Sequence, residues 1–368
     1  MIYFAYSIVV IINSFLAYSR NHSRIIAFIT AVFIWLLFWS NTLNPDLQAY
    51  VRDYIYLQNN VPLETYQTEP GFIILMKLGI SLGLSYTAFL SLVTAVCYAL
   101  IYRTIKKYTN NMSYVYLMYL LHPVFLDIVQ FRNFIIMSIL VSAIPLLVED
   151  TGKSKIKYLL LILVAASIQN LAIVYAPLLL VNRANKNKLV KYIACFIVLF
   201  SIVLLFNGNK IPYIENIVQN INNDRIDRYL SGVGRLGFLI AWGLHIIYFL
   251  LIYWSKKVID RNKTSDKKND EIIAFVNIVF WINVFAFAFF PLYMMDMAFY
   301  RVIRNLILVN AIVFSIASNS FASGNVKKLV FNFTVLLGAS AWFSYDILGP
   351  HFITVFKPIF ENNIFIGD

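Results

Sequence analysis

Residues 272–290 read IIAFVNIVFWINVFAFAFF, an apolar run without a single charged side chain. As a helix rising 1.5 Å per residue it measures about 28 Å, close to the roughly 30 Å hydrocarbon core of a bilayer. The basic stretch Lys256 to Lys268 stands before it. A run of this length beside a Lys-rich loop reads as a transmembrane helix with its basic end on the cytoplasmic side. Composition extends the reading to the whole chain. Of 368 residues, 60% are hydrophobic and 13% charged, with mean hydropathy +0.73. Soluble domains sit at about 45–50% apolar and about 25% charged. A disordered chain, a protein with solvated nucleic-acid-binding faces and a typical soluble enzyme are thereby excluded. The expected fold is all-α: a polytopic integral membrane protein of about ten transmembrane helices, one domain over residues 1–368.

The basic clusters set the topology. They are Arg20 and Arg24; Arg103, Lys106 and Lys107; Lys153, Lys155 and Lys157; Arg183, Lys186, Lys188 and Lys191; Lys256 to Lys268; and Lys327 with Lys328. Spans fall between them at 2–18, 25–43, 86–105, 113–126, 132–148, 191–206, 236–254, 272–290, 302–318 and 329–345. The first run lacks a basic n-region and a small-residue cleavage site, so it is expected to be a retained span rather than a signal peptide. The loops 44–70 and 207–235 are expected outside. Two segments fail as simple spans. Residues 71–84 are short and contain Lys77, Gly79 and Gly83, which predicts an interfacial or re-entrant helix. Residues 158–181 have basic clusters on both sides and so require an even number of crossings. That predicts a hairpin with Gln169 and Asn170 buried at its tip. A single span with one misplaced basic loop is the alternative.

The net charge of +12 is mostly topology charge, yet Lys and Arg are not distributed alike. The cytoplasmic clusters hold 15 Lys and 5 Arg. The other ten basic residues are Arg52, Lys77, Arg132, Lys210, Arg225, Arg228, Arg235, Arg301, Arg304 and Lys357, of which seven are Arg. Orientation by positive charge does not distinguish Lys from Arg, so another cause is needed. Arginine's planar fork grips phosphate through two bonds and is more weakly hydrated than an ammonium. An ionisable group in a span is a functional candidate by default. Arg132, Arg301 and Arg304, at the outer ends of spans, therefore predict a site for a polyanion such as a diphosphate. Arg225, Arg228 and Arg235 are further candidates on one helical face. Membrane anchoring or salt bridges to Asp224, Asp227 and Asp296 are the alternative. Asn133 beside Arg132 and Tyr300 beside Arg301 join the expected substrate contacts. Tyr50, Tyr54, Tyr56 and Tyr66 share the outer loop with Asp46, Asp53, Glu64 and Glu69. Carboxylates and tyrosines together suit sugars, as they also suit an interfacial aromatic belt. Cys97 and Cys195 lie in apolar runs, and four scattered histidines form no metal motif. No metal, cofactor or nucleic acid is expected.

These residues carry a family resemblance. Asn44-Pro45-Asp46 with Tyr50 and Tyr54, followed by Glu69-Pro70-Gly71-Phe72, resembles the EpsG-like branch of Wzy-type polysaccharide polymerases. Arg132-Asn133, Asp227-Arg228-Tyr229 and Arg301 are similar to later elements of that family. The motif order covers roughly the first 180 residues well and the rest loosely. One departure stands out: the family commonly has a His near the segment matched by 167–171, which here reads Ser-Ile-Gln-Asn-Leu.

The resemblance implies a metal-independent glycosyltransferase in the bacterial cytoplasmic membrane. It would join undecaprenyl-diphosphate-linked oligosaccharide repeat units at the outer face, building capsule, exopolysaccharide or O-antigen. Membrane lipids, a flippase and a chain-length regulator are the implied partners. Asp46, Arg132 and Arg301 are expected to be catalytic. Asn44, Tyr50, Tyr54, Glu69, Asn133, Gln169, Asn170, Arg225, Arg228, Arg235, Tyr300 and Arg304 are expected to bind substrate. Asp46 and Glu69 are candidates to orient or deprotonate the acceptor hydroxyl, with His122 and His245 as substitutes for the missing His. The alternatives are a flippase for lipid-linked sugars, a glycan ligase or an O-acyltransferase. A flippase tends to show two pseudo-repeated halves, and none is visible.

Overall fold

The computed structural model describes residues 2–19, 23–62, 68–182, 186–210, 237–262, 267–322, 324–349 and 351–365. Among them the chain forms 17 α-helices. These are α1 (Ile2–Tyr18), α2 (Arg24–Ser40), α3 (Leu47–Gln58), α4 (Pro70–Ser81), α5 (Tyr86–Tyr108), α6 (Met112–Leu121), α7 (Val124–Val129), α8 (Phe131–Glu149) and α9 (Gly152–Ile168) in the first half. A 3₁₀ segment, Asn170–Leu180, leads to α10 (Lys186–Phe206), α11 (Phe238–Arg261), α12 (Lys267–Ala286), α13 (Phe290–Met295) and α14 (Arg301–Arg304). Helices α15 (Ile307–Ser320), α16 (Val326–Ile347) and α17 (Lys357–Glu361) close the chain.

Six of these stretches are long and apolar enough to cross a membrane: α5, α8, α10, α11, α16 and the continuous run Asn269–Met295. Shorter apolar helices, α1, α2, α6 and α15 among them, fill the other expected spans. Their starts follow local chemistry. Ser23, Ser85 and Asn111 accept hydrogen bonds from backbone N–H groups in the first turns of α2, α5 and α6, satisfying donors that a helix start otherwise leaves open. Thr151 and Ser154 cap α9 reciprocally.

Helices α6, α8 and α15 form the centre and are buried on nearly every face. The outer helices turn large apolar side chains outward, with Phe4, Phe15, Ile25, Leu199, Phe206 and Leu329 all exposed. Such an exterior suits lipid rather than water. Inside, polar side chains pair between helices. Asn283 and Asn310 exchange amide hydrogen bonds at 2.8 and 3.0 Å, and Thr109 lies 2.8 Å from Ser315. Among apolar helices without a strong solvophobic drive, such pairs select the register.

The basic clusters fall at one end of the bundle: the starts of α2, α9, α10 and α16, and the ends of α5 and α11. The opposite end collects the loop after α2, the starts of α4 and α8, and the residues around α14. The segment 158–181 forms two limbs, the end of α9 and the 3₁₀ stretch, breaking at Gln169. Tyr158 donates across them to the Tyr175 carbonyl at 2.8 Å. The expected hairpin is therefore present, with one correction: Gln169 is half-buried, but Asn170 is exposed. The 17 residues of α9 rise about 25 Å, so the tip reaches the far end of the bundle and leaves Asn170 at its rim. The segment 71–84 is the short helix α4 followed by a turn, as its length and glycines require.

Candidate functional site

The far end of the bundle carries the residues of interest, beginning with the loop after α2. Asn44 accepts hydrogen bonds from the backbone N–H groups of Asp46 and Leu47 at 3.1 and 2.9 Å, and donates to Asn41 at 2.8 Å. The asparagine thus makes the turn that starts α3, a common use of its side chain. Asp46, at the N-cap position, makes no capping bond with its own carboxylate. The C-terminal segment clamps this loop: Asn41 donates to the carbonyls of Pro358 and Asn362, and the Ile364 N–H donates to Ser40.

Glu69-Pro70-Gly71-Phe72 has a use for each residue. Glu69 forms an ion pair with Arg132 in the first turn of α8. Pro70 opens α4, where its missing N–H costs nothing. Gly71 lies against Ser167 at the hairpin tip, where a Cβ would fall 2.6 Å from a backbone carbon. Phe72 is fully buried and stands 5.8 Å from the Arg132 guanidinium, with the Tyr50 ring at 5.9 Å from the same group. Phe131 completes this aromatic floor, edge-on to Phe72 at 5.8 Å and Tyr50 at 6.1 Å. Arginine over aromatic faces gains cation–π attraction while its fork meets an anion, here the Glu69 carboxylate.

Tyr50 and Asp46 are four apart on α3 and share a face. Burial raises the Asp46 carboxyl above its ordinary pKa, while the charges of Arg301 and Arg132 pull it back. Burial likewise raises the Tyr50 phenol, opposed by Arg132. Two arginines from distant helices thus act on one carboxylate. With Glu69, the cluster has two positive and two negative side chains, half-buried at the rim of the bundle.

Other expected contacts lie elsewhere. Arg304 does not join this rim. It is buried, donates to Gln130 Oε1 at 2.5 Å and sits 3.7 Å from the buried Asp127 carboxylate, which also accepts from Tyr119 at 3.1 Å. It turns inward because an unpaired Asp127 in the core would be costly. Asn133 is buried in a reciprocal amide pair with Asn305, at 2.8 and 3.1 Å. Tyr54 is buried and donates to the Leu84 carbonyl at 2.9 Å. Asn44 is spent on its turn. Gln169 lies near the site, since its neighbour Ser167 touches Gly71. Arg225, Arg228 and Arg235 lie outside the described residues, as does most of the loop 207–235.

His245 packs among Phe287, Phe290 and Tyr293. His122 has a stronger setting, which the sequence did not reveal: it meets the Asp346 carboxylate and the Tyr300 hydroxyl. The available signal was that His122 and Asp346 are ionisable residues at span ends. Among the described residues no group of three His, Cys, Asp or Glu side chains could hold a metal.

A bundle of membrane-length helices with an apolar exterior and a cluster of two arginines and two carboxylates at one end defines a polytopic membrane protein. The chain matches the EpsG family over residues 24–356 and belongs to it. It is thereby an EpsG-family membrane protein implicated in exopolysaccharide synthesis. Neither a characterised protein nor a solved structure matches the chain.

Proposed function

We propose that this protein is a polysaccharide polymerase of the bacterial cytoplasmic membrane, joining oligosaccharide repeat units carried on undecaprenyl diphosphate at the outer face. The observation that carries the reading is the half-buried Arg132, paired with Glu69 and set over the Tyr50 and Phe72 rings, at the end of the bundle opposite the Lys-rich clusters, where Arg301 and Arg132 both act electrostatically on Asp46. The positive-inside rule assigns those clusters to the cytoplasm, so the arginine rim faces outward.

In the reaction, the anomeric carbon of the growing chain leaves its lipid diphosphate and bonds to a sugar hydroxyl of the incoming unit. Diphosphate is a good leaving group, and the main requirement is stabilisation of the charge it gains. Arg132 and Arg301 meet that need. Before substrate arrives, Glu69 and Asp46 balance their charges and hold them in register. A diphosphate then competes for the arginine forks. As it does, the attraction that lowers the Asp46 pKa weakens, and this carboxylate becomes a better hydrogen-bond acceptor for the incoming hydroxyl. Tyr50, with an apolar face and a polar edge, suits the C–H face of a sugar.

The test is the set of lipid-linked glycans that accumulate in a strain lacking this chain. Single repeat units on lipid at the outer leaflet are the expected result. Units trapped on the inner leaflet would instead identify a flippase.

A further inference from the structure

The end of the bundle that carries the basic clusters holds an open groove of about 430 Å³. Helix α16 supplies one wall through its N-cap Asn325 and through Lys328, Leu329, Asn332, Phe333 and Leu336. These positions alternate in steps of three and one, so they share one helical face. Tyr18, the last residue of α1, stands at the other side. Its ring meets Tyr114 of α6 edge-on at 5.9 Å, and the Tyr114 hydroxyl donates to Asn332 Oδ1 at 3.3 Å. Tyr114 thus ties the two walls together.

The groove sorts its chemistry by depth. Asn325 and Lys328 lie at the start of the helix, and Leu329, Phe333 and Leu336 lead inward. Leu329 and Phe333 are 71% and 59% exposed, a state that suits contact with hydrocarbon rather than water. From Asn325 to Leu336 the helix rises about 16 Å. One leaflet's share of the hydrocarbon core is about 15 Å. A basic, polar head above an apolar stem of one leaflet's depth has the shape of a phospholipid, not of a soluble anion.

The polar groups match such a head in order. Lys328 is half-buried against the groove, whereas its neighbour Lys327 is exposed. The start of the 22-residue α16 adds the positive end of the helix dipole. An ammonium beside a helix start suits phosphate oxygens. Asn332 sits one turn deeper, about 6 Å below Lys328, and is only 6% exposed. Its Oδ1 is taken by Tyr114, while its Nδ2 donates to no group among the described residues. That depth is where the ester carbonyls of a phospholipid follow its phosphate. Among the described residues that line the groove none is acidic, so a choline or ethanolamine cation would find no counter-charge. Orientation by positive charge explains why Lys327 and Lys328 lie on this side. It does not explain a buried amide with an open donor beside one of them.

We propose that this groove binds one anionic phospholipid of the cytoplasmic leaflet. Its phosphodiester meets Lys328 and the start of α16, an ester carbonyl accepts from Asn332 Nδ2, and an acyl chain lies over Phe333 and Leu336. Basic pockets between helices on the cytoplasmic side are suited to such headgroups. The bound lipid joins the end of α1 to the start of α16, so its occupancy stabilises the bundle. The site lies at the end opposite the arginine rim and is independent of the polymerase reading.

The experiment uses the full chain purified in mild detergent. Native mass spectrometry measures bound phosphatidylglycerol and phosphatidylcholine after equal exposure to each, and melting is followed with either lipid or with inorganic phosphate. Phosphatidylglycerol is expected to be retained over phosphatidylcholine and to raise Tm, and inorganic phosphate to leave Tm unchanged. Lys328→Ala is expected to lower phosphatidylglycerol retention about fivefold or more, the scale of one lysine at an anionic membrane surface. Asn332→Leu keeps the bulk, removes the amide and is expected to lower retention as well. Lys257→Ala removes an exposed cation from the same end of the bundle, one that lies over the Tyr253 ring and does not line the groove. It is expected to leave retention unchanged. Equal retention of the two lipids, or an equal loss in Lys257→Ala and Lys328→Ala, identifies ordinary boundary lipid and overturns the proposal. So does a folded Asn332→Leu that retains phosphatidylglycerol as the wild type does, and so does a rise in Tm with inorganic phosphate that matches the rise with the lipid. If Asn332→Leu does not fold, the comparison of Lys328→Ala with Lys257→Ala decides. No outcome depends on elongation, so the polymerase reading stands or falls separately.

Discussion

Gly71→Ala tests whether the hairpin tip must touch the E-P-G-F turn. An alanine Cβ there would lie 2.1 Å from Ser167 Oγ, 2.6 Å from the Ser167 carbonyl carbon and 2.7 Å from its Cβ. Favourable carbon contacts begin near about 3.5 Å. The hydroxyl can rotate away, but the other two atoms move only with the backbone, so the tip must withdraw by about 1 Å. Overpacking of this kind costs about 1–3 kcal/mol. It also reaches the arginine site, because Glu69, two residues earlier, holds Arg132. A displacement of about 1 Å in such a clamp lowers rates by up to about 100-fold. The assay pairs the melting temperature in detergent with the elongation rate on extracted lipid-linked units. Both should fall in Gly71→Ala. Adding Ser167→Gly removes Oγ and Cβ but leaves the carbonyl carbon, so it should restore only part of each. Wild-type melting and rate in Gly71→Ala would refute the close-packing argument. Full rescue by Ser167→Gly would refute its backbone component.

At the proposed diphosphate site, Arg132→Lys and Arg301→Lys should each lower elongation by roughly one to two decades, because lysine keeps the charge but loses the fork; near-wild-type output from both would sink the assignment. Arg304→Lys and Arg304→Met should act first on stability, since either leaves Asp127 and Gln130 poorly matched, and a melting curve unchanged from wild type would contradict the buried pairing. Asp46→Asn should be as stable as wild type or more so at neutral pH while elongation falls. The folded-state pKa of Asp46 is raised, so its ionised form is held at a cost above that pKa. The stability difference should close as pH falls and wild-type Asp46 takes up its proton, and a large loss of stability in Asp46→Asn at pH 7 would show the sign to be wrong. In a background lacking the exposed Cys195, an impermeant thiol reagent on intact cells should label Gln58→Cys and not Asn269→Cys; the reverse pattern would invert the orientation.

Length, hydropathy and charge placed the spans, because a helix that crosses a bilayer must satisfy its backbone locally and be apolar throughout. The same local logic gave the hairpin: basic residues on both flanks of 158–181 require a return, and Tyr158 bonded to Tyr175 shows the two limbs side by side. The switch from Lys to Arg outside the basic clusters pointed to Arg132 and Arg301, and the family resemblance to Glu69 through Phe72. The partners could not be read in this way. In sequence, Arg301 and Arg304 look equivalent, three residues apart on one short helix, yet the fold leaves Arg301 half-buried, where its charge acts on Asp46, and buries Arg304 against Asp127. Glu69 and Arg132 are 63 residues apart, and His122 and Asp346 are 224 apart. Asn44, Tyr54 and Asn133 resembled ligand contacts but spend their polar groups inside the protein. An ionisable or amide side chain in an apolar run announces that it needs a partner. Which partner it receives depends on how the helices pack and rotate against one another, a property of the tertiary structure that no local stretch of sequence contains.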